Sequence, residues 1–230
     1  MDINNKPKPQ YFGHRGRMKD KFLASGFDSF ADYEILEFAL FFAIERIDTK
    51  PLAKELIKKF GSAKQVLDAD VEDLMRFPGL SRHSAIFLTF LREMAGYYSY
   101  LDVKSSQVLG SPETVIDYLI TVLSGEKIEK FYVVLLDPGN KVIECKEIES
   151  GTVNKSAVIP RKIAEAALSD KASAVIIAHN HPGGTLKPSQ NDIDATAAVK
   201  EALKTIDVSL LDHIIISGNK YFSFREYNLI

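Results

Sequence analysis

Residues 178–194 read AHNHPGGTLKPSQNDID, and they constrain the fold more than any other stretch of the chain. Just before them, Ala174-Val175-Ile176-Ile177-Ala178 is a short apolar run of the kind that becomes a buried strand. Side chains two apart on a strand point the same way, so His179 and His181 face together while Asn180 faces away. Pro182 stops the strand. Ser189-x-x-Asp192 then has the form of a capping box, opening a helix that continues as IDATAAVKEALKTI. A strand end, a Pro-Gly-Gly turn and a capped helix therefore lie close together. The cap fixes the first helical turn and aims Asp192 back at the histidines.

Two imidazoles and a carboxylate leave a fourth position on a zinc ion for water, which is the arrangement of a catalytic rather than a structural zinc site. A simpler reading stands beside it. A strand histidine is commonly a hydrogen-bonded core or surface residue, and a capped helix start is a structural device in its own right. The two readings of Ser189 and Asp192 coexist, because capping and ligation use the same placement of the first turn. Asp194 lies two residues further on, about 200° around the helix, and cannot join the same metal.

The spacing H-x-H-x7-S-x-x-D resembles the JAMM motif of JAB/MPN-type metalloproteases, whose signature adds an upstream glutamate. FYVVLLDPGNKVI, SGTVNKSAVIPRKIAEAAL, SAVIIAHNHPGG and LLDHIIIS resemble the RadC (UPF0758) family more narrowly, a family named for DNA repair, and the resemblance covers essentially the whole chain. Two departures are visible, Gly183 for the usual Ser after His-Pro and Lys162 for the Glu of a Pro-Arg-Glu run, and neither touches the ligands. The resemblance implies an α/β (α+β) fold, a JAB/MPN cytidine-deaminase-like sandwich. It also implies a zinc-dependent hydrolase cleaving a peptide, isopeptide or related amide bond, with one Zn2+ per chain on His179, His181 and Asp192. The general base comes from the start of the first strand, which is Glu129 here, with Glu126 as the fallback. Ser189 would offer its hydroxyl to the developing oxyanion. Substrate specificity is expected from the Gly183–Pro188 loop and from the surface around Gly151-Thr152.

Composition excludes several alternatives. With 230 residues, 46% hydrophobic, the chain can bury one large core or two modest ones. A formal net charge of −2 provides no bulk basic field that would draw it to nucleic acid. A single cysteine, Cys145, rules out an intramolecular disulfide and a cysteine-based zinc ribbon, and its expected role is that of a small buried hydrophobe. Deaminase chemistry lacks its H-x-E…P-C-x-x-C signature. His179-Asn180-His181 is not an HNH nuclease, whose three residues lie far apart on a ββα unit. The polar first residues contain no signal-peptide core, and no run approaches the ~18–20 apolar residues of a membrane span, so a soluble cytoplasmic protein without a membrane partner is expected. Nothing in the sequence fixes an oligomeric state.

Periodicity divides the chain into an all-α helix-hairpin-helix-like half at 1–100, a linker at 101–112 and the JAB/MPN domain at 113–230. Helices are expected over SFADYEILEFALFFAI, PLAKELIKKF, VEDLMRF and PGLSRHSAIFLTFLREMAGYY, with Gly61 ending the second. In the second half FYVVLLD and KVIECKEI read as a hairpin around Pro138-Gly139-Asn140, and SLLDHIIIS reads as the final strand. His213 within it is expected to make a structural hydrogen bond, with Asp212 on the opposite face. His14 and His83 have no carboxylate at ligand spacing. Phe77-Pro78-Gly79-Leu80-Ser81 resembles the h-P-G-h-G hairpin that presents backbone N–H groups to a DNA phosphate, with Ser81 in place of the second glycine. On that reading Gly79, Ser81, Arg76 and Arg82 contact DNA. The chain would then be a DNA-associated accessory protein of repair or recombination with a secondary or structural metal site. The plainer alternative is a packed αα-hairpin. The basic arm carrying Lys6, Lys8, Arg15, Arg17, Lys19 and Lys21 is expected to be a solvated terminus that could add phosphate contacts.

Overall fold

The candidate site is carried by a five-stranded sheet in the C-terminal half of the chain. The computed structural model describes residues 13–45, 47–105, 112–151 and 155–230, and the chain forms two compact units, Met1–Met94 and Ala95–Ile230. In the second unit the strands are β1 (Lys130–Leu136), β2 (Val142–Ser150), β3 (Ala174–Asn180), β4 (Ser209–Ser217) and β5 (Lys220–Ser223), ordered β2-β1-β3-β4-β5. Only β3 and β4 run parallel; the other neighbouring pairs are antiparallel.

Both faces of the central strands are covered, which is why β1 and β3 read as nearly continuous apolar runs rather than alternating ones. Val134, Leu136, Ala174 and Ala178 pack with Val115, Ile116, Leu119 and Leu123 of α7 (Pro112–Leu123). Phe131, Val133, Leu135, Val175 and Ile177 pack on the other side with two helices, α8 (Lys155–Ser169) and α9 (Gln190–Lys204), through Ile159, Ile163, Val199 and Leu203. His179 continues the second face and Asn180 the first, as strand alternation requires. Each fully buried Ile or Leu contributes roughly 1.5–3 kcal/mol. The β1–β2 turn is shaped by Asp137, whose Oδ1 accepts from the N–H groups of Gly139 and Lys141, and by Asn140 at φ 57°. Cys145 is half-buried in β2, and its thiol is pushed up to about 12, first by burial and then by Glu144.

SLLDHIIIS is not the last strand. β5 returns antiparallel to β4 across Gly218-Asn219, with Ser217 paired to Lys220. Gly-Asn between two strand-forming runs is a two-residue hairpin signal, and it was present in the sequence.

The first unit contains α2 (Asp32–Ala43), α3 (Lys50–Phe60), α5 (Val71–Met75) and the start of α6 (Arg82–Ser105), with Gly61 past the end of α3 at φ 107° as expected. It also contains α1 (His14–Ser25) and the short α4 (Ala63–Leu67). α1 replaces most of the expected basic arm. Arg15 donates to the main-chain oxygens of Phe41 in the last turn of α2 and of Ile44 and Ile47 beyond it, and Lys21 pairs with Glu34 at 2.9 Å. These cations hold helices together instead of standing in solvent. Lys6 and Lys8 lie outside the described residues. α6 runs on to Ser105, so residues 101–105, expected as linker, are helical, and the sequence boundary between the two units falls after Met94.

Candidate metal centre

Two local features and one long-range register assemble this site. β3 delivers His179, fully buried, at its edge. His181 follows directly, and its N–H bonds the carbonyl of Ile216, which extends the parallel pairing with β4 by one residue. Across the antiparallel β1–β3 pair, Phe131 lies opposite His179, with the rings parallel within 4° and centroids 5.6 Å apart. Glu129, two residues before Phe131, falls on the same face. Its carboxylate lies 3.8 Å from His179 Nε2.

Asp192 enters from α9. Ser189 is its N-cap, and the capping box is reciprocal: Asp192 Oδ2 accepts from Ser189 N–H and from the Ser189 hydroxyl, both at 2.7 Å, while Ser189 Oγ accepts from Asp192 N–H at 3.2 Å. Oδ1 is left directed at His179 Nε2, 3.3 Å away, and the carboxylate also lies 3.5 Å from His181 Nε2. Donor atoms of Glu129, His179, His181 and Asp192 all lie within 4.8 Å of one another. Glu126 is not in this cluster; it pairs with Lys130 at 3.2 Å.

The electrostatics are those of lone pairs converging on one point. Burial lowers the pKa of His179. Asp192 raises that of His181. Burial alone would raise the Asp192 carboxyl, yet the two imidazoles and the Ser189 hydroxyl hold it far below the usual carboxylate range. His181 Nδ1 is 2.9 Å from the carbonyl oxygen of Thr185, so in the neutral ring it carries the proton and Nε2 is the acceptor. His179 and His181 Nε2 stand only 2.9 Å apart. Two imidazole nitrogens and a carboxylate oxygen held this close fit a tetrahedral divalent ion with one open position.

Asn180, between the two histidines, faces away from them as expected. It does so to a purpose: Oδ1 accepts from Lys130 N–H at 2.7 Å, and Nδ2 donates to the carbonyls of Ile128 at 2.9 Å and Glu126 at 3.3 Å. These bonds clasp the segment on both sides of Glu129 and tie it to the strand that carries the histidines. The partners lie 50 to 54 positions away in sequence, beyond any local pattern. The Ser189 hydroxyl hydrogen is committed to Asp192, so an oxyanion role for Ser189 requires that hydroxyl to rotate. Of the expected specificity surface, Thr152 lies outside the described residues.

The hairpin residues belong to the first unit. Gly79 sits at φ 91°, and a Cβ there would meet Leu52 Cδ1 at 3.1 Å, so its face is packed on α3. Ser81 N–H is bonded to Ser84 Oγ at 2.9 Å. Arg76 is paired with Glu72 and Asp73, while Arg82 is exposed. Among the described residues no helix is long and apolar enough to cross a membrane.

A sheet whose strand end releases His-x-His toward a capped carboxylate, with a glutamate entering from the neighbouring strand, defines a JAB-type domain with a candidate metal site. The family model of the RadC-like JAB domain matches residues 109–229. The chain is 40% identical over 225 residues to a UPF0758 protein of Fusobacterium nucleatum subsp. nucleatum, an alignment covering 95% of this chain and 97% of the relative. It is 38% identical over 218 residues to a UPF0758 protein of Ruegeria pomeroyi, covering 94% and 97%. The chain belongs to the RadC family.

Proposed function

We propose that this chain is a zinc-dependent hydrolase of the JAMM type that cleaves a peptide, isopeptide or related amide bond. The observation that carries the reading is the convergence of Glu129, His179, His181 and Asp192 within 4.8 Å. Zinc held by the two histidines and Asp192 would supply Lewis acidity, polarising an amide carbonyl and making water acidic enough to attack at neutral pH. Glu129 would take a proton from the attacking water as the C–O bond forms and the carbonyl opens to an oxyanion, then pass it to the nitrogen as the oxyanion collapses and the C–N bond breaks, so no further acid is required. Asp192 would serve as the anionic oxygen ligand, its other carboxylate contacts being those of the cap. The Ser189 hydroxyl, once turned from Asp192, can donate to the oxyanion.

The test compares the purified protein with Glu129→Gln against a peptide library and isopeptide-linked conjugates, with and without chelator, measuring zinc on the same samples. Glu129→Gln should lower hydrolysis by about 10²-fold or more with zinc retained. Full activity in Glu129→Gln together with its loss in Glu126→Gln would assign the base to the wrong carboxylate. Chelator-insensitive hydrolysis, or none on any amide with zinc bound, would remove the proposed activity.

A further inference from the structure

Behind the ligand face, His179 Nδ1 lies 2.8 Å from His213 Nε2. His213 Nδ1 lies 2.6 Å from Thr196 Oγ1. The Thr196 oxygen is in turn 2.5 Å from the main-chain oxygen of Asp192, one turn back along α9. His179 and His213 are 0% exposed and Thr196 is 2%, so solvent offers no alternative partners.

Only one arrangement of protons satisfies these contacts with neutral rings. A carbonyl oxygen accepts and cannot donate, so the single Thr196 hydroxyl hydrogen must lie between its oxygen and that of Asp192. Thr196 Oγ1 can then only accept from His213, which places the His213 proton on Nδ1. His213 Nε2 is left as an acceptor, and His179 must donate to it from Nδ1. His213 is packed between the rings of Phe131 and Phe224, with centroids 5.7 and 4.5 Å away, which fixes the ring plane along this row of contacts.

We propose that Thr196 and His213 are positioning residues that lock His179 in its Nδ1–H tautomer and so present its Nε2 lone pair to a divalent cation. The inference rests on the metal-site reading above and adds the device that prepares it. The relay begins at the main chain of Asp192, whose side chain supplies another donor to the same site. One helical turn therefore sets both a ligand and the proton position of its neighbour. Partners of this kind behind a ligating histidine are typically worth 10–100-fold in metal affinity.

The proposal is tested by 15N–1H correlation of the imidazoles in the metal-free full-length protein, together with zinc affinity from chelator competition. In the wild type His179 should carry its proton on Nδ1. Thr196→Val keeps the volume and removes the hydroxyl; it touches no ligand side chain, yet it should mix the two His179 tautomers and weaken zinc by about tenfold or more, while Thr196→Ser restores both readouts. A wild-type His179 protonated on Nε2 overturns the relay and can be seen even if Thr196→Val does not fold. A folded Thr196→Val with unchanged tautomer and unchanged zinc affinity also overturns it. Failure of the wild type to bind zinc would instead overturn the metal-site reading, with the tautomer measurement still standing by itself.

Discussion

Asn180 offers a perturbation whose size can be worked from the structure. Asn180→Ala removes one accepted and two donated hydrogen bonds at a position 2% exposed to solvent. The two shorter bonds are worth about 1 kcal/mol each and the longer one less, and the stranded main-chain groups add part of their desolvation, for a total of about 2–3 kcal/mol. For a unit of this size that lowers the melting temperature by about 10 °C. Asn180→Asp is the sharper variant. It keeps an acceptor for Lys130 N–H but turns a carboxylate oxygen toward two carbonyl oxygens, so it should be at least as destabilising as Asn180→Ala although it is nearly isosteric. Both variants should retain zinc, because the histidines and Asp192 keep their own supports, and both should lose about 10²-fold in hydrolysis as Glu129 moves away from its working position. Thermal melts followed by circular dichroism, with zinc content and turnover on the same samples, check each part. An Asn180→Asp protein that melts and turns over like the wild type would refute the clasp, since the amide donors would then be dispensable.

Other outcomes follow from particular side chains. The pKa of His181 is raised by Asp192, so its contribution to the metal-free protein is complete below the unfolded value near 6.5 and is lost as pH rises through the higher folded value. The lowered pKa of His179 acts in the opposite direction on stability, so the check is the His181 imidazole titration itself, followed by NMR in metal-free protein: Asp192→Asn should lower it, whereas zinc affinity should rise from about pH 6 to about pH 8 because protons compete with the ion. An unchanged His181 titration in Asp192→Asn would contradict the pairing. Gly79→Ala adds a Cβ at φ 91° against Leu52 and should cost roughly 1–3 kcal/mol by denaturant titration. If the hairpin meets DNA, Arg76 and Arg82 are both exposed to do so; salt-dependent retention of branched DNA by the full chain that falls in Arg76→Ala and Arg82→Ala would establish that face, and retention indifferent to both leaves the hairpin its packing role.

What could be read from the sequence follows from how local each signal is. His179, His181, Ser189 and Asp192 lie within one strand–turn–helix, so period-two alternation and a capping box sufficed to bring them together. Glu129 was placed by resemblance alone; its reason is the antiparallel register of Phe131 with His179, which no local pattern encodes. The partners of His213 are 34 and 17 residues distant, so a structural hydrogen bond was foreseeable but its address was not. α1 went unread because its only buried residue is Met18 and its work is done by polar groups such as Arg15 reaching across to α2. β5 is a different case, since Gly218-Asn219 announced it and the following four-residue strand was simply too short to stand out.

The reciprocal bonding of Ser189 and Asp192, and the pairing that seats both histidines, are made between groups of the chain itself. Loading the site should then be separable from folding, unlike a zinc finger, where one is the other. A chelator should empty the protein and leave it standing, ready to be refilled. Two imidazoles and a carboxylate rank divalent ions by the general order of transition-metal affinities, in which copper exceeds zinc, and do not discriminate sharply between them. The metal recovered with the protein will therefore record the supply in the cell that made it as much as the preference of the site.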